Sequence, residues 1–549
     1  MILSDLQKQI SKTLGLDLEN EMEMEKYFKP NWERDLYPAE KIKDIDKSLE
    51  RIKKAIDENQ KIVIYADYDC DGIPGAVVLH DFFKKINYEN FSVYIPHRHN
   101  EGYGLNKKAI EKFIEEKYSL MITIDIGITN IEEIKFAEEN NINVILTDHH
   151  LPILNEKNKQ ILPDAFAIIN TKQADDKYEE KFLCGCSTAW KLVHAFLNKY
   201  REEYNVKEGW EKWLLDMVAI STVADLVPLK NENRLLVKYG LQVLRKSSRP
   251  GLQKILANAK IDQTKINEDD IAFGIAPRIN SASRMADPID AFNALLHNDE
   301  SVDYAEKLEK FNTNRKFNTK EAIESIDIEK LKEEEIIFLG DENWGPGILG
   351  LIAAKIGETT GKTCFIWGMG EDKNIMKGSV RVGEDNLNVV EIMIKGEIFL
   401  ENFGGHEAAG GFAIHKDQIK DFENFLKEYS KNINRNLKED KKEKLEKDFI
   451  LIKIGEINRK IYEEIKIFSP FGVENPKPKF KIKLDGNHNV KSKRFGKNKE
   501  HLEIIIGEKR GIEFFVSENR EKELLSKKEH LVNIEWDNFR RDILIKFIK

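Results

Sequence analysis

Aspartate and histidine residues gather directly behind short apolar segments in the first third of the chain. Three such segments lie at 61–66, 120–124 and 143–147. The polar residues that follow them are Asp67, Asp69, Asp71, Asp125, Asp148, His149 and His150. Carboxylate oxygens and imidazole nitrogens in one site favour magnesium or manganese as the bound ion. Because so many carboxylates repel one another at short range, a shared site would need cations.

The apolar segments have the composition of buried β-strands. They are short and β-branched, and helical stretches near 75–87, 106–117 and 130–140 separate them. Further strands are predicted at 91–95 and 166–169. This alternation predicts an α/β fold with a doubly wound parallel sheet. Because ligands of such sheets bind beyond the carboxyl ends of the strands, we expect the aspartates and histidines at one edge.

The number of predicted ligands suits two divalent ions that share a bridging carboxylate. Asp225, which follows an apolar helical run, is a further candidate ligand. A pair of such ions about 3.5–4 Å apart is a device for hydrolysing phosphoesters. The chain shows no Ser-His-Asp or Cys-His arrangement, and it lacks the glycine-rich phosphate loop of nucleotide-driven motors. The sequence therefore predicts metal-dependent phosphoester chemistry.

Length and composition limit the class of protein. A chain of 549 residues is too long for one hydrophobic core, so several domains are expected. With 41% hydrophobic and 33% charged residues, the chain has a globular composition. No run approaches the ~20 apolar residues of a membrane span, and no signal-peptide pattern is visible, so we expect a cytoplasmic location. The four cysteines are too few and too scattered for a disulfide framework.

A basic segment at 477–499 contrasts with the net charge of −9. Its basic residues are Lys477, Lys479, Lys481, Lys483, Lys491, Lys493, Arg494, Lys497 and Lys499, against one acid, Asp485. Phe480 and Phe495 lie among them, and aromatic rings between cations suit base stacking beside phosphate contacts. A solvated strand face would give the same charge pattern. Both interpretations stay open on composition alone.

Changes of pattern along the chain predict five parts. An N-terminal helical segment at 1–60 precedes an α/β catalytic domain at 61–300. A charged helix at 301–330 connects this domain to a second, smaller α/β domain at 331–432. Short strand-like runs in 433–549 predict a β-rich binding domain.

The Asp-His-His of 148–150, with the Asp-x-Asp after the first strand, resembles the DHH phosphoesterases. Further motifs are similar to those of the RecJ family within that superfamily. They are Ile95-Pro-His-Arg98, Glu101-Gly-Tyr-Gly-Leu105, Thr222-Val-Ala-Asp225-Leu-Val-Pro-Leu229, Pro277-Arg278-Ile-Asn280-Ser-Ala-Ser-Arg284-Met, Trp344-Gly-Pro-Gly347-Ile-Leu-Gly350, Gly404-Gly-His406-Glu-Ala-Ala-Gly410-Gly411 and Pro470-Phe-Gly472-Val-Glu-Asn475-Pro476. Their joint occurrence in this order is specific, whereas Asp-His-His alone would indicate only the superfamily.

The resemblance implies a set of domains, an activity and cofactors. The domains would be DHH at 61–300, DHHA1 at 331–432 and an oligonucleotide-binding (OB) domain at 433–549. RecJ proteins degrade single-stranded DNA from the 5′ end to mononucleotides with Mn²⁺ or Mg²⁺, in DNA repair and recombination. The implied partners are single-stranded DNA, a helicase and a single-strand binding protein. The implied state is a monomer.

The resemblance also assigns metal ligands. Asp69 would hold one ion, and Asp71 and His149 would hold the other. Asp125 would bridge the two ions, and Asp225 would complete the second site. These five residues, with His150, form the predicted catalytic group.

Neighbouring residues receive supporting roles. Asp67 and Asp148 would be metal ligands or hydrogen-bond partners that orient ligands, and His150 would face the scissile phosphate. Phosphate contacts are expected from arginine, which offers bidentate geometry, and from glycine, whose backbone can approach closely. The predicted nucleic-acid contacts are Arg98, Arg278, Asn280, Ser281, Arg284, Gly404, Gly405, His406, Lys477, Lys479, Lys481, Lys483 and Arg494.

Some positions depart from the family pattern. Tyr65 stands where some relatives have a histidine, Gly345 replaces the histidine expected after Trp344, and Ser281 and Ser283 replace Ala and Gly. Two alternative functions are considered. The first is a DHH phosphoesterase of short oligonucleotides or cyclic dinucleotides, against which the basic third domain argues. The second is a binding scaffold with a decayed site, against which the intact set of acids argues.

Overall fold

The structure is a computed structural model in which the chain forms two compact units. The larger unit contains residues 37–227 and 236–437, and the smaller contains 1–36, 228–235 and 438–549. The structure describes residues 2–370, 372–385, 387–431, 449–484, 490–496, 499–514, 516–537 and 540–548.

The N-terminal segment is helical, as the sequence predicts. Its helices are α1 (Asp5–Thr13), α2 (Glu21–Phe28), α3 (Trp32–Asp35) and α4 (Ile45–Asp57). Helix α1 begins with a capping box, in which the Ser4 side chain accepts from Gln7 N and the Gln7 side chain accepts from Ser4 N. Ile10 of α1 packs into the core of the smaller unit. Residues 1–36 therefore contribute to the fold of the smaller unit, whereas α4 belongs to the larger unit.

A parallel sheet forms the centre of the first domain of the larger unit. The elements along this stretch are β1 (Lys61–Ala66), α5 (Gly72–Lys85), β2 (Phe91–Tyr94), α6 (Lys107–Glu115), β3 (Tyr118–Ile124), α7 (Ile131–Glu139), β4 (Asn143–Thr147), β5 (Ile153–Leu154), β6 (Gln160–Ile161) and β7 (Ala167–Ile169). The strand order is β2-β1-β3-β4-β7, and each neighbouring pair is parallel. The predicted doubly wound sheet is confirmed. The small β5–β6 hairpin lies outside it and has no counterpart in the prediction.

Apolar side chains on both faces of the sheet explain why the strands are continuous hydrophobic runs. On one face, Val63, Met121 and Val144 pack with Ile110 of α6 and Ile134 of α7. All five of these side chains are fully buried, and each stabilises the fold by about 1.5–3 kcal/mol.

Tyr65 belongs to the same buried core as these strand residues. Its hydroxyl donates to Gly104 O at 3.3 Å. The residue that stands where some relatives have histidine is therefore part of the core.

The stretch after β7 is largely helical, in agreement with the sequence. Its helices are α8 (Gly185–Tyr200), α9 (Leu215–Ala224), α10 (Asn231–Leu244), α11 (Pro250–Asn258), α12 (Ala276–Met285), α13 (Ile289–Leu295), α14 (Ser301–Glu324) and α15 (Ile328–Leu331). A π-helical turn at Asp270–Ile275 leads into α12. Helix α14 occupies most of the predicted connecting segment.

A second sheet forms the remaining domain of the larger unit. Its elements are β8 (Ile336–Asp341), α16 (Pro346–Thr360), β9 (Thr363–Met369), β10 (Ile375–Arg381), α17 (Val389–Lys395), β11 (Asn402–His406), β12 (Ala409–His415) and α18 (Ile419–Lys431). The strand order is β11-β12-β10-β9-β8, in which only β8 and β9 are parallel. The predicted second α/β domain is confirmed, with a mixed sheet.

The smaller unit is rich in β-structure. Its C-terminal elements are β13 (Ile450–Lys453), α19 (Arg459–Lys466), β14 (Phe480–Lys483), β15 (Val490–Phe495), β16 (His501–Ile506), β17 (Lys509–Glu513), α20 (Glu518–Ser526), β18 (Glu529–Asp537) and β19 (Asp542–Phe547). The strands form one sheet in the order β13-β14-β18-β19-β17-β16-β15. This agrees with the predicted β-rich domain. Within the described residues, no helix is both long and apolar enough to span a bilayer.

Candidate metal centre and active site

The turn after β1 brings its aspartates to the edge of the first sheet. A Cβ atom on Gly72 would lie 2.4 Å from Asp67 O, so the entry into α5 is too close for any other residue. Asp69 Oδ1 accepts from Asp71 N at 2.7 Å. Asn280 of α12 secures the same turn, because its Oδ1 accepts from Cys70 N at 2.8 Å. The side chain predicted to bind nucleic acid therefore supports the acidic turn.

The strand ends and the end of α9 bring seven predicted side chains into one cluster. Within the described residues, three groups offer ligand atoms that lie within 4.8 Å of one another. The groups are Asp67 with Asp69 and Asp125, Asp125 with His149 and His150, and Asp71 with His149 and Asp225. Asp125 belongs to two groups, and its Oδ1 lies 3.1 Å from His149 Nε2. This is the position that a bridging ligand would occupy.

Buried polar atoms without partners indicate that the cluster is built for cations. In the part of the chain that the structure describes, Asp67 Oδ1, Asp125 Oδ1 and both ring nitrogens of His149 are buried and make no hydrogen bond. Buried polar groups are costly without a partner. A pair of hard divalent ions would satisfy these atoms, so the residues present fit Mn²⁺ or Mg²⁺.

Burial and mutual repulsion raise the pKa of two carboxylic acids in the cluster. Burial raises the pKa of Asp125 well above its ordinary value, and the carboxylates of Asp71, Asp69 and Asp67 raise it further. Burial, with Asp71 and Asp69, also raises the pKa of Asp225 to about 8. The ionised carboxylates are therefore unfavourable unless a cation neutralises them.

The backbone of Asp125 lies in the left-handed region, with a φ of 61°. A non-glycine residue rarely adopts this conformation, and such strain is concentrated at functional sites. Helix α8 approaches the residue closely, because a Cβ atom on Gly185 would lie 2.5 Å from Asp125 Cβ. The strained backbone and the neighbouring glycine together fix the carboxylate in the centre of the cluster.

Asp71, a predicted metal ligand, also accepts hydrogen bonds from the protein. Its Oδ2 accepts from Gly185 N at 2.7 Å, and its Oδ1 accepts from Cys186 N at 2.8 Å and from the hydroxyl of Ser221. Both oxygens therefore already accept hydrogen bonds from α8 and α9. Asp67 and Asp69 are therefore freer to bind an ion than Asp71 is.

We predict that Asp71→Asn lowers the melting temperature of the metal-free protein by roughly 5 °C. The amide nitrogen of asparagine would face N–H donors that now bond to a carboxylate oxygen. Thermal unfolding followed by circular dichroism measures the effect, with Asp164→Asn, at an exposed position of the same domain, as control. A variant that melts like the wild-type protein would contradict this structural role.

Asp148 orients the histidine pair. Its Oδ1 accepts from His150 Nδ1 at 2.8 Å and from His149 N at 2.7 Å, and its Oδ2 accepts from Ile128 N at 2.9 Å. Burial disfavours the His150 cation, but Asp148 outweighs this and the pKa of His150 is raised to about 9. Of the two roles predicted for Asp148, these contacts favour the orienting one. The His406 ring of the second domain stacks on His150, with centroids 6.1 Å apart.

Arginines gather beside the acidic turn. Burial lowers the pKa of Arg284 to about 9, and the nearby charges of Arg98, Arg315 and Arg381 lower it further. Arg381 Nη1 donates to Ser379 Oγ at 3.1 Å. Within the described residues, no carboxylate lies within ion-pair distance of any of these four guanidinium groups. Neighbouring cations without ion-pair partners are suited to bind an anion such as phosphate.

Helix α16 completes the surroundings of this arginine cluster. A Cβ atom on Gly350 would lie 3.0 Å from Arg381 Nη2, and one on Gly347 would lie 2.0 Å from Arg284 O. An adjacent cavity of about 230 Å³ is lined by Arg284, by His97 and His99, and by the start of α16. The glycines of the second domain thus allow close approach of the helix to the arginines.

Two predicted phosphate contacts have structural partners. Arg278 Nε lies 2.5 Å from Glu309 Oε2, and its Nη1 donates to Gly274 O at 2.7 Å. The Ser281 hydroxyl donates to Arg278 O at 2.6 Å. Both side chains are buried. Of the two arginines predicted on α12, only Arg284 joins the arginine cluster.

The predicted glycine segment forms a tight strand pair. A Cβ atom on Gly405 would lie 2.4 Å from Ala409 O across the β11–β12 ladder. Gly404 faces open space, and a Cβ atom there would meet nothing within 4 Å. His406, at the end of β11, is the member of this segment that reaches the cluster.

Most of the basic side chains predicted to bind nucleic acid are ion-paired. Lys477 lies 2.7 Å from Glu535, and Lys481 and Lys483 lie 2.6 Å and 3.0 Å from Glu529. Arg494 pairs likewise with Glu521, at 2.6 Å. Among the described residues, Lys479 has no carboxylate partner, and Lys491 and Lys493 are exposed on β15. Lys497 and Asp485 lie outside the described residues.

The sequence did not predict two members of the arginine cluster, Arg315 and Arg381, or the neighbouring Ser379, whose hydroxyl accepts from Arg381. None stands in a motif that was recognised, and Arg381 ends a strand distant in sequence from the aspartates. Only the packing of α14 and α16 against α12, and of β10 against α16, brings them to the site.

Family models agree with this architecture. The model of the DHH family N-terminal domain matches residues 61–222, that of the DHHA1 domain matches 333–432, and that of the RecJ OB domain matches 450–546. The parallel sheet and the acidic cluster thus define a protein of the DHH superfamily.

Relatives specify the family further. The single-stranded-DNA-specific exonuclease RecJ of Bacillus subtilis (strain 168) is 33% identical over 485 residues, covering 86% of this chain and 58% of that relative. RecJ of Haemophilus influenzae is 28% identical over 485 residues, covering 85% and 82%. RecJ from Thermus thermophilus in complex with Mn²⁺ superposes with a TM-score of 0.76 at 23% identity, covering 100% of this chain and 78% of that one. The chain belongs to the RecJ family.

Proposed function

We propose that the protein is a metal-dependent exonuclease that degrades single-stranded DNA from its 5′ end and releases 5′-mononucleotides. The observation that carries the proposal is the arginine cluster, formed by Arg98, Arg284, Arg315 and Arg381, beside the acidic cluster. A strand whose terminal phosphate is held there would place its next phosphate at the metal centre. The B. subtilis and H. influenzae relatives carry the name of single-stranded-DNA-specific exonuclease.

Two Mn²⁺ or Mg²⁺ ions fit the cluster. Asp67, Asp69 and Asp125 would hold one ion, and Asp71, His149 and Asp225 would hold the other, with Asp125 shared between them. When bound, such ions activate water and neutralise charge on the phosphate under attack. A solved structure of exonuclease RecJ bound to manganese, 28% identical over 72% of this chain and 96% of that one, supports the choice of ion.

Side chains of the protein set the register and the orientation of the bound strand. Guanidinium groups hold the terminal phosphate by bidentate hydrogen bonds, so one nucleotide is removed in each cycle. His150, fixed by Asp148, donates to an oxygen of the scissile phosphate. Cleavage then produces a mononucleotide and a strand with a new 5′-phosphate. That strand can occupy the same arginine cluster in the next cycle.

A DHH phosphoesterase of short oligonucleotides or cyclic dinucleotides is not favoured. Family models match all three domains of this chain, and the RecJ OB match lies at 450–546. The proposed biological setting is DNA repair and recombination in the cytoplasm. We also propose that the protein acts as a monomer, with a helicase and a single-strand binding protein as partners.

The test uses a 5′-phosphorylated single strand of about 30 nucleotides, labelled at one end or the other, with Mn²⁺ or Mg²⁺. We expect the 5′ label to appear at once in a mononucleotide and the 3′-labelled strand to shorten stepwise. A blunt duplex is the control and should resist cleavage, as should the single strand in the presence of a chelator. Cleavage of dinucleotides with intact long strands would contradict the proposal and favour the small-substrate alternative.

A further inference from the structure

Lys172 is held beside the acidic cluster by the loop after β7. Asn170, which is fully buried, donates through Nδ2 to His150 O at 2.9 Å and accepts through Oδ1 from Lys172 N at 2.9 Å. Gln160 Nε2 donates to Lys172 O at 2.8 Å. Both backbone groups of Lys172 are therefore fixed, independently of its side chain.

The ammonium group of Lys172 is partly buried and lacks an ion pair. In the part of the chain that the structure describes, no carboxylate lies within 4.0 Å of its Nζ, which sits 5.7 Å from the centre of the Phe182 ring. Burial lowers the pKa of Lys172, while the more distant carboxylates of Asp225, Asp148 and Asp125 oppose that shift. A partly buried cation without an acid partner is suited to bind an anionic ligand.

Lys172 approaches the cluster from a different direction than the arginines. The Arg98 guanidinium lies 5.1 Å from the ring centroid of Tyr68, the residue between Asp67 and Asp69. Lys172, in contrast, is tied through Asn170 to the backbone of His150, which shares a group of potential ligand atoms with Asp125 and His149. The metal centre therefore has the arginine cluster at its Asp67–Asp69 side and Lys172 at its His149–His150 side.

We propose that Lys172 contacts the DNA phosphate that follows the scissile phosphate on its 3′ side. This inference rests on the proposed exonuclease function, in which the arginine cluster holds the terminal phosphate and the metal centre holds the scissile one. A strand that enters at the arginines and crosses the metal centre leaves on the side of His149 and His150. Its third phosphate then reaches Lys172, with Phe182, whose side chain is 50% exposed, beside the adjoining nucleotide.

Two short substrates separate this contact from a general structural effect. A 5′-phosphorylated trinucleotide has the third phosphate, whereas a 5′-phosphorylated dinucleotide does not. We expect Lys172→Gln to lower kcat/KM on the trinucleotide about tenfold and to leave the dinucleotide unchanged. Lys172→Arg should retain most of the activity on both. Lys159→Gln, at an exposed position next to β6, removes the same charge and serves as the matched control.

A methylphosphonate at the second linkage of the trinucleotide gives an independent measurement. This change removes the charge of the third phosphate only. It should lower kcat/KM of the wild-type protein about tenfold and leave that of Lys172→Gln unchanged, because the contact is already absent.

Each remaining outcome has a distinct meaning. Equal losses of Lys172→Gln on both substrates, or equal sensitivity of both proteins to the methylphosphonate, would overturn the proposed contact and leave the exonuclease function intact. A wild-type protein that also leaves long 5′-phosphorylated strands uncleaved would overturn the proposed function, and this inference with it.

Discussion

Replacing Asp125 by asparagine should lower the rate of strand cleavage by about 10³-fold or more, because residues that act as one catalytic unit are rarely dispensable. Asp125 is shared by two of the potential metal groups, and its Oδ1 lies 3.1 Å from His149 Nε2. Release of a 5′-labelled mononucleotide measures the loss. Asp164→Asn, an exposed aspartate of the same domain, is the control and should retain the wild-type rate.

Although Asp125→Asn should lower activity, it should raise the thermal stability of the metal-free protein. Because burial and neighbouring carboxylates raise the pKa of Asp125, the metal-free protein is destabilised as pH rises through that raised pKa. Asparagine removes this cost, so Asp125→Asn should melt at a higher temperature than the metal-free wild-type protein at pH 8. Added Mn²⁺ should stabilise the wild-type protein more than the variant. A lower melting temperature without metal would mean that misfolding causes the loss of activity.

Arg381→Gln should remove most of the advantage of a 5′-phosphate. We expect kcat/KM on 5′-phosphorylated strands to fall about 10- to 100-fold, because a charged hydrogen bond to phosphate is lost. Strands with a 5′-hydroxyl should be cleaved at the wild-type efficiency, since they lack the group that Arg381 binds. Steady-state kinetics on the two strands measures the difference.

The control for this prediction is Lys377→Gln on the same strand, β10. Lys377 is exposed, so the variant loses one positive charge without touching the arginine cluster. It should retain the preference for phosphorylated ends. If Arg381→Gln lowered the efficiency on both kinds of strand equally, the arginine cluster would serve the scissile phosphate or the fold instead of the terminal phosphate.

The first domain could be predicted from the sequence because its signal is local. β1, β3 and β4 are largely apolar runs, and each is followed at once by an aspartate. In a parallel sheet, this order alone brings Asp67, Asp125 and His149 to the same edge. The part of the cluster that follows the strands therefore needed no knowledge of long-range packing, whereas Asp225 reaches it only through the packing of α9.

The phosphate contacts could not be predicted in the same way. Arg278 and Arg284 lie six positions apart on α12, which places them about 120° apart around the helix. One pairs with Glu309 in the core and the other faces the arginine cluster. The motif identifies both residues, but it does not show on which face of α12 each one lies.

The charge of the basic segment was also overestimated from the sequence. The carboxylates that neutralise its lysines, Glu529 and Glu535, come from β18, outside the 477–499 window. The antiparallel β14–β18 ladder places them opposite one another. A count along the chain cannot include partners that only strand pairing supplies.

Asp71 and Asp148 are held in place by the protein itself. Their carboxylates accept hydrogen bonds from N–H and O–H donors of α8, α9 and the loop after β3. Because these bonds do not depend on an ion, we expect metal uptake to be binding to a folded site and not a folding event, in contrast to small zinc domains. The occupancy of such a site follows the concentration of the ion that is supplied.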